Sequence, residues 1–300
     1  QTSQKHACLF LRHDAEWNIK LTHHSGVFGV IIMIMYKKKS IRLLEFYSLL
    51  LSVLMLFCFA FVTSADLNDP SLSIYYSFDN VGNKIIEDGS KYKNNGEIVG
   101  GAKFSNGKSG KAIALKQDVW IKINGAKFKN LPKDGFTLAT WVNHEDSADP
   151  QSLFDAIGDK HGDGLFHVEI RPAGFRFFHR NDAKTQVFNI NPGPVIKGKK
   201  WHHFAGVYDK KSGKATIYVD GKKTHDADTA KQPLATNWNV TAGIGHHKNG
   251  RWYIGLLDEF FLFARAISKE EVQEIMNDDF LAVKSIDKLS VTWGEIKEGR

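Results

Sequence analysis

The chain has 300 residues, of which 42% are hydrophobic and 24% charged, the composition of an ordinary globular protein. Its net charge is +7, but residues 1–65 hold seven Lys/Arg and three Asp/Glu, so residues 66–300 carry 33 basic and 30 acidic side chains, too even a mixture for a nucleic-acid footprint. Cys8 and Cys58 also lie in the first 65 residues, which removes a disulfide scaffold, a Cys-ligated zinc and thiol catalysis from the rest.

Lys37, Lys38, Lys39 and Arg42 precede an apolar run over 46–62, which ends in Thr63-Ser64-Ala65. This order predicts a secretory signal peptide over 35–65, with cleavage after Ala65 and a secreted or cell-surface protein. Left uncleaved, the run is nearly long enough to anchor the chain in a membrane. Signals begin at a start codon, so Met33 or Met35 is the expected start and 1–34 an upstream extension that is not part of the fold.

From residue 71 the chain reads as short apolar runs rich in β-branched and aromatic residues: 74–78, 120–124, 136–142, 165–170, 175–179, 201–208, 215–220, 240–244, 252–257 and 259–263. Asn95-Gly96, Asn106-Gly107, Asn124-Gly125, Asp134-Gly135, Asp220-Gly221 and Asn249-Gly250 punctuate them with residues that accept positive φ. One helix is expected over 268–276, where Ser268 and Glu271 have capping-box spacing. Many strands without βαβ alternation predict an all-β, two-sheet antiparallel sandwich in a single domain over 66–277. The tail 278–300 reads as an extra strand, a docked segment or an attachment segment.

Four ordered stretches over 72–277 resemble the laminin-G-like jelly-roll domains of the concanavalin A-like lectin/glucanase superfamily. They are Tyr76-Ser77-Phe78-Asp79 with the turn from Asp88 through Asn94-Asn95-Gly96; Gly110-Lys111-Ala112 with 136–142; Trp201-His202-His203 running to Asp220-Gly221; and Gly255-Leu256-Leu257-Asp258-Glu259-Phe260 with Ala264-Arg265-Ala266 and the helix. The resemblance implies a jelly roll with an extracellular, often carbohydrate-linked, binding role. It also implies a structural calcium, carried over onto Asp79, Asn94 and Asp258 with Asp88 in reserve. Asp79 and Asp88 read equally as turn-capping side chains, and Asp258 as a hydrogen-bond partner of backbone.

The glucanase branch uses a strand motif resembling Glu-x-Asp-x-x-Glu, which does not occur here. Asp258 and Glu259 are neighbours, so on a regular strand they face opposite ways and form no acid/base pair. A non-catalytic module is expected, with a divergent glycoside hydrolase or lyase, or an adhesive surface protein without a sugar site, as the rivals. The pairs His202-His203 and His246-His247 cannot chelate as units for the same reason, and with His161, His167 and His179 they read as structural or surface residues. Aromatic faces stack on sugar rings while polar neighbours fix the hydroxyls. Trp238 and Trp252, with His247 and Arg251, are therefore the expected glycan contacts, core packing being the other reading of either Trp ring, and the acidic loop 144–150 is the alternative. The partner is expected to be a glycan or an extracellular protein. The sequon at 239–241 matters only in a eukaryotic secretory pathway.

Overall fold

The computed structural model describes residues 67–280, apart from residues 83, 158–164, 237, 239–241, 248–249 and 279. The signal segment 35–65, the stretch 1–34, His161, the sequon and most of the 278–300 tail lie outside the described residues. In chain order the strands are β1 (Leu72–Tyr76), β2 (Val81–Gly82), β3 (Ile85–Ile86), β4 (Gly96–Val99), β5 (Lys103–Asn106) and β6 (Lys111–Leu115). Next come β7 (Trp120–Ile123), β8 (Gly135–His144), β9 (Gln151–Ile157), β10 (Leu165–Ile170), β11 (Arg176–Arg180) and β12 (Gln186–Ile190). The last are β13 (His202–Asp209), β14 (Lys214–Val219), β15 (Lys222–Asp228), β16 (Ala242–Ile244) and β17 (Gly255–Phe263), followed by helix α1 (Lys269–Met276). Among the described residues no helix is long and apolar enough to cross a membrane.

The strands form two antiparallel sheets, as expected. One has the order β15-β14-β13-β8-β17-β6-β5, with β1 also paired to β17; the other runs β12-β11-β10-β9-β16-β7-β4-β3-β2. Turn chemistry explains the hairpins. Val219 pairs with Lys222, and between them Asp220 (φ 50) and Gly221 (φ 70) both take the left-handed backbone that a two-residue type I′ turn requires. Inward-facing residues of both sheets make one core, with Phe136 stacked among Phe154, Phe166 and Phe177, and Tyr76 against Phe260.

The outer faces are treated differently. On the eight-stranded sheet, Tyr75, Ala139, Ala205, Val207, Phe261 and Phe263 form a second apolar cluster with Val272 and Ile275 of α1. The helix is fixed by the expected capping box, in which Ser268 accepts from Glu271 N–H and Glu271 accepts from Ser268 N–H. On the nine-stranded sheet, the outer face carries charge.

Two differences from the sequence reading matter. The runs 252–257 and 259–263, expected as two strands, belong to the single long strand β17 and the loop before it. This strand pairs with β6 through Gly255–Leu257 and with β1 through Phe260–Phe263, and a bulge at Asp258 and Glu259 (φ 48) marks the change of partner. Strand β9 was not expected, because Gln151-Ser152-Leu153-Phe154-Asp155-Ala156-Ile157 lacks clean alternation.

Replacing Ser268 with Ala removes the cap and is expected to cost about 1 kcal/mol. Thermal unfolding by circular dichroism should show Tm lowered by roughly 2–4 °C for a domain of this size.

Candidate functional site

The centre of the nine-stranded sheet positions the site. In the β9–β10 ladder His167 lies opposite Asp155 and Val168 opposite Phe154. Phe154, Ala156, Phe166 and Val168 belong to the core, so the alternating positions Asp155, His167 and Glu169 point outward. The loop after β16 then lies over them. Its backbone is tied down by hydrogen bonds from Gly245 N–H to Leu153 C=O (3.2 Å) and from Ser152 N–H to Arg251 C=O (2.7 Å). His247 and Arg251 are thereby carried onto the same face.

These side chains form one polar network. His167 Nδ1 lies 3.2 Å from Asp155 Oδ2, and its Nε2 contacts Glu169. His247 Nδ1 contacts the same Asp155 oxygen from the loop side, and the two imidazoles meet edge-on with centroids 4.7 Å apart. Three guanidiniums converge on Glu169: Arg171 (Nη2, 2.5 Å), Arg251 (Nη1, 2.5 Å) and Arg176 (Nη1, 3.8 Å). Burial works against ionising Glu169, yet His167 and the arginines overcome it and hold its pKa down at about 2. Burial likewise opposes the charge on Asp155, and the facing imidazoles hold it below the usual range. Burial lowers the pKa of His167, but the carboxylates on either side outweigh that and raise it. No carboxyl group of this network has the raised pKa that a glycosidase general acid needs. Its carboxyls are ionised and paired with cations.

Aromatic rings flank the network. His246 stacks between Trp120 (centroids 3.7 Å) and Trp252 (5.8 Å), and burial lowers its pKa to about 4, so at neutral pH it is an uncharged ring. Trp120 and Trp252 are both half-buried. On the other side Arg176 lies over Phe178 at 4.4 Å. Arg171 opens onto a cavity of about 250 Å³ shared with His144, Asp146, Gln151 and Ile196. The acidic loop 144–150 therefore borders the face that carries the arginines.

Of the expected glycan contacts, the structure brings together His247, Arg251 and Trp252. Trp238 is a correction: it is 1% exposed and packs against Phe128, Phe154 and Phe166, so its ring is core and cannot meet a ligand. The residues that sequence reasoning missed are Asp155, Glu169, Arg171 and Arg176. Glu169 and Arg171, at i and i+2 beside a histidine, were the available signal, but their partners come from other strands.

The four residues carried over for calcium do not converge on one point. Asp88 accepts from Tyr75 N–H (2.9 Å), Ser90 N–H (2.8 Å), Ser90 Oγ (2.6 Å) and Asn94 N–H (2.8 Å). Asn94 donates to Ser73 and Lys129 carbonyls and accepts from Lys129 N–H. Both are thus committed to fixing turns and do not fit an ion. Asp79 and Asp258 instead grip the β5–β6 loop, with Asp258 accepting from Lys108 and Ser109 N–H and Asp79 from Lys111 N–H. The loop needs glycine here, since a Cβ on Gly107 would lie 2.3 Å from Asp258 and one on Gly110 (φ 59) 2.1 Å from Asp79. The bulge also overturns the expectation that Asp258 and Glu259 face opposite ways, since Leu257 and Phe260 on either side of them both belong to the inner core. Burial and the nearby charge of Asp79 push Asp258 up to about 6, while burial and the charges of Asp258 and Asp79 push Glu259 up to about 8.

The fold is a two-sheet antiparallel sandwich with one charged outer face. Residues 116–273 match the Laminin_G_3 family model, described as the concanavalin A-like lectin/glucanases superfamily, and the chain belongs to that family. A search of curated proteins found no match. Among solved structures the chain is similar to domain 4 of AbnA, a GH43 extracellular arabinanase from Geobacillus stearothermophilus, in complex with arabinotriose (20% identity, TM-score 0.55, 69% of this chain and 98% of that one). It is also similar to the binding domain of Paraclostridial mosquitocidal protein 1 (17%, 0.55, 72% and 53%). A third similar structure is the botulinum neurotoxin serotype G binding domain (14%, 0.56, 69% and 51%). The match spans about half the length of the two toxin domains.

Glu259 sets a pH dependence. Its folded-state pKa of about 8 lies above the ordinary 4.5, so its contribution to stability declines as pH rises from 4.5 through 8. Glu259→Gln keeps a partner for the Tyr75 hydroxyl without the charge. Tm measured from pH 5 to pH 9 should be equal in variant and wild type at pH 5 and a few degrees higher in the variant at pH 9.

Proposed function

We propose that this protein is a secreted, non-catalytic binding module that recognises carbohydrate through the outer face of its nine-stranded sheet. The observation that carries this reading is that one face holds both the half-buried rings of Trp120 and Trp252 and the guanidiniums of Arg171, Arg176 and Arg251. Trp rings supply an apolar platform for the C–H faces of a sugar. Glu169 offsets only one of the three guanidinium charges, so the preferred glycan carries a carboxylate or sulfate. The arabinotriose complex of the similar arabinanase domain supports a sugar ligand, and the basic, apolar, small-residue order of 35–65 supports secretion.

Calcium enters this reading only at Asp79 and Asp258, neighbouring carboxylates whose mutual charge raises the pKa of Asp258. A calcium ion there would relieve that repulsion and tie the end of β1 to β17. Calcium added to chelator-treated protein at pH 8 is expected to raise Tm, and Asp258→Asn to abolish the gain. An unchanged Tm would leave these residues as loop clamps alone.

A glycan array followed by titration calorimetry tests the binding face. Arg251→Ala is expected to weaken an acidic glycan roughly tenfold or more, and Trp252→Ala to weaken acidic and neutral glycans alike by several-fold. Added salt should weaken the acidic ligand selectively. Retained affinity in both variants, with Tm unchanged, would remove this face from the reading.

A further inference from the structure

Beneath the proposed glycan face, three side chains from three elements point at one spot. Asp155 on β9, His167 on β10 and His247 in the loop after β16 each present a ligand atom, and these atoms all lie within 4.8 Å of one another. Two of the three are almost completely buried, Asp155 at 3% and His167 at 1% exposure; Asp155 Oδ1 has no hydrogen-bond partner, and His167 Nδ1 faces Asp155 Oδ2 at 3.2 Å without the alignment of a hydrogen bond. An unpaired polar atom at that depth is costly, and something that fills the spot would recover the loss.

We propose that His167 Nδ1, His247 Nδ1 and the Asp155 carboxylate bind one Zn²⁺ ion, leaving a fourth position open to water on the solvent side. Two imidazole nitrogens and one carboxylate oxygen are a zinc-type donor set, whereas calcium takes six to eight oxygens. Tetrahedral zinc with bonds near 2.0–2.1 Å places its ligand atoms about 3.3 Å apart. The 3.2 Å between His167 Nδ1 and Asp155 Oδ2 already meets that spacing. Adjacent strands in register hold these two rigidly. His247 is held by paired backbone hydrogen bonds with Gly250 (2.8 and 2.9 Å).

The surroundings are those of a supported metal ligand. With Nδ1 on the ion, His167 turns Nε2 toward Glu169, the carboxylate–histidine–metal relay that fixes an imidazole's tautomer and orientation. Glu169 is held in turn by Arg171 and Arg251. The ion would pin the loop after β16 to β9 and β10, and so fix the positions of Arg251 and Trp252. The site does not depend on the face binding a sugar, since its test reads metal alone. Without metal, the same geometry is an imidazolium between two carboxylates.

The full chain, stripped with a chelator and titrated with ZnCl₂ in a calorimeter, is expected to bind one zinc per molecule. Co²⁺ in place of zinc should give the intense visible absorption of a tetrahedral site. His247→Ala touches only a part-exposed loop residue, so it should fold as wild type by circular dichroism. It should weaken zinc on the order of 100-fold or more and abolish the cobalt band, while Glu169→Gln should weaken zinc about 10–100-fold. No saturable binding would overturn the proposal, because it leaves the imidazolium arrangement in place. Zinc binding unchanged in His247→Ala would also overturn it, because the ion would then sit on other residues.

Discussion

Each strand of a two-layer sandwich buries one side against the opposite sheet, and the architecture then depends on what is done with the other side. Here the two sheets solve the problem in opposite ways. The eight-stranded sheet covers its outer face with α1, the Tyr75–Phe261 stack and Phe280. The nine-stranded sheet places Asp155, His167 and Glu169 at its centre, where exposure is 0–3%, and each charge there must be met by another. That requirement draws Arg171, Arg176, His247 and Arg251 onto the face, because an unpaired carboxylate at that depth would not stay ionised.

The same requirement sets the charge state of the carboxyls on that face. A glycosidase needs one carboxyl kept protonated near neutral pH, and the strongly raised carboxyls of this domain are Asp258 and Glu259. They lie in β17 of the other sheet, buried and gripping the β5–β6 loop or the Tyr75 hydroxyl. On the charged face Asp155 and Glu169 are held ionised by the cations around them. Among the described residues the raised carboxyls and the charged face therefore belong to different sheets.

The sequence exposed what depends on neighbours along the chain. Asp-Gly at 220–221 demanded a tight hairpin and made one, and Ser268 with Glu271 closed the expected capping box. What it concealed depends on pairing across the fold. Alternation predicts opposite directions for Asp258 and Glu259 until β17 exchanges β6 for β1 and has to bulge. His246 and His247 were correctly read as unable to act as a pair, but that logic did not reach the real outcome. One joins an aromatic stack and the other joins Asp155, ninety-two positions away. Trp238 looked like loop because its neighbours are Asn, yet its ring fills the core beneath Phe154 and Phe166.

The placement of Arg251 shows how such a face can be rigid while its side chains remain exposed. Arg251 takes a left-handed backbone (φ 46), and its carbonyl accepts the Ser152 N–H, so the residue is anchored through its main chain. Tyr253, fully buried two residues on, fixes the other end, with its N–H on Gly245 and its hydroxyl on Leu256. The side chains of Arg251 and Trp252 are consequently oriented by main-chain hydrogen bonds that do not pass through them. A binding surface built this way pays little ordering entropy when a ligand arrives, because the loop has already been ordered by folding.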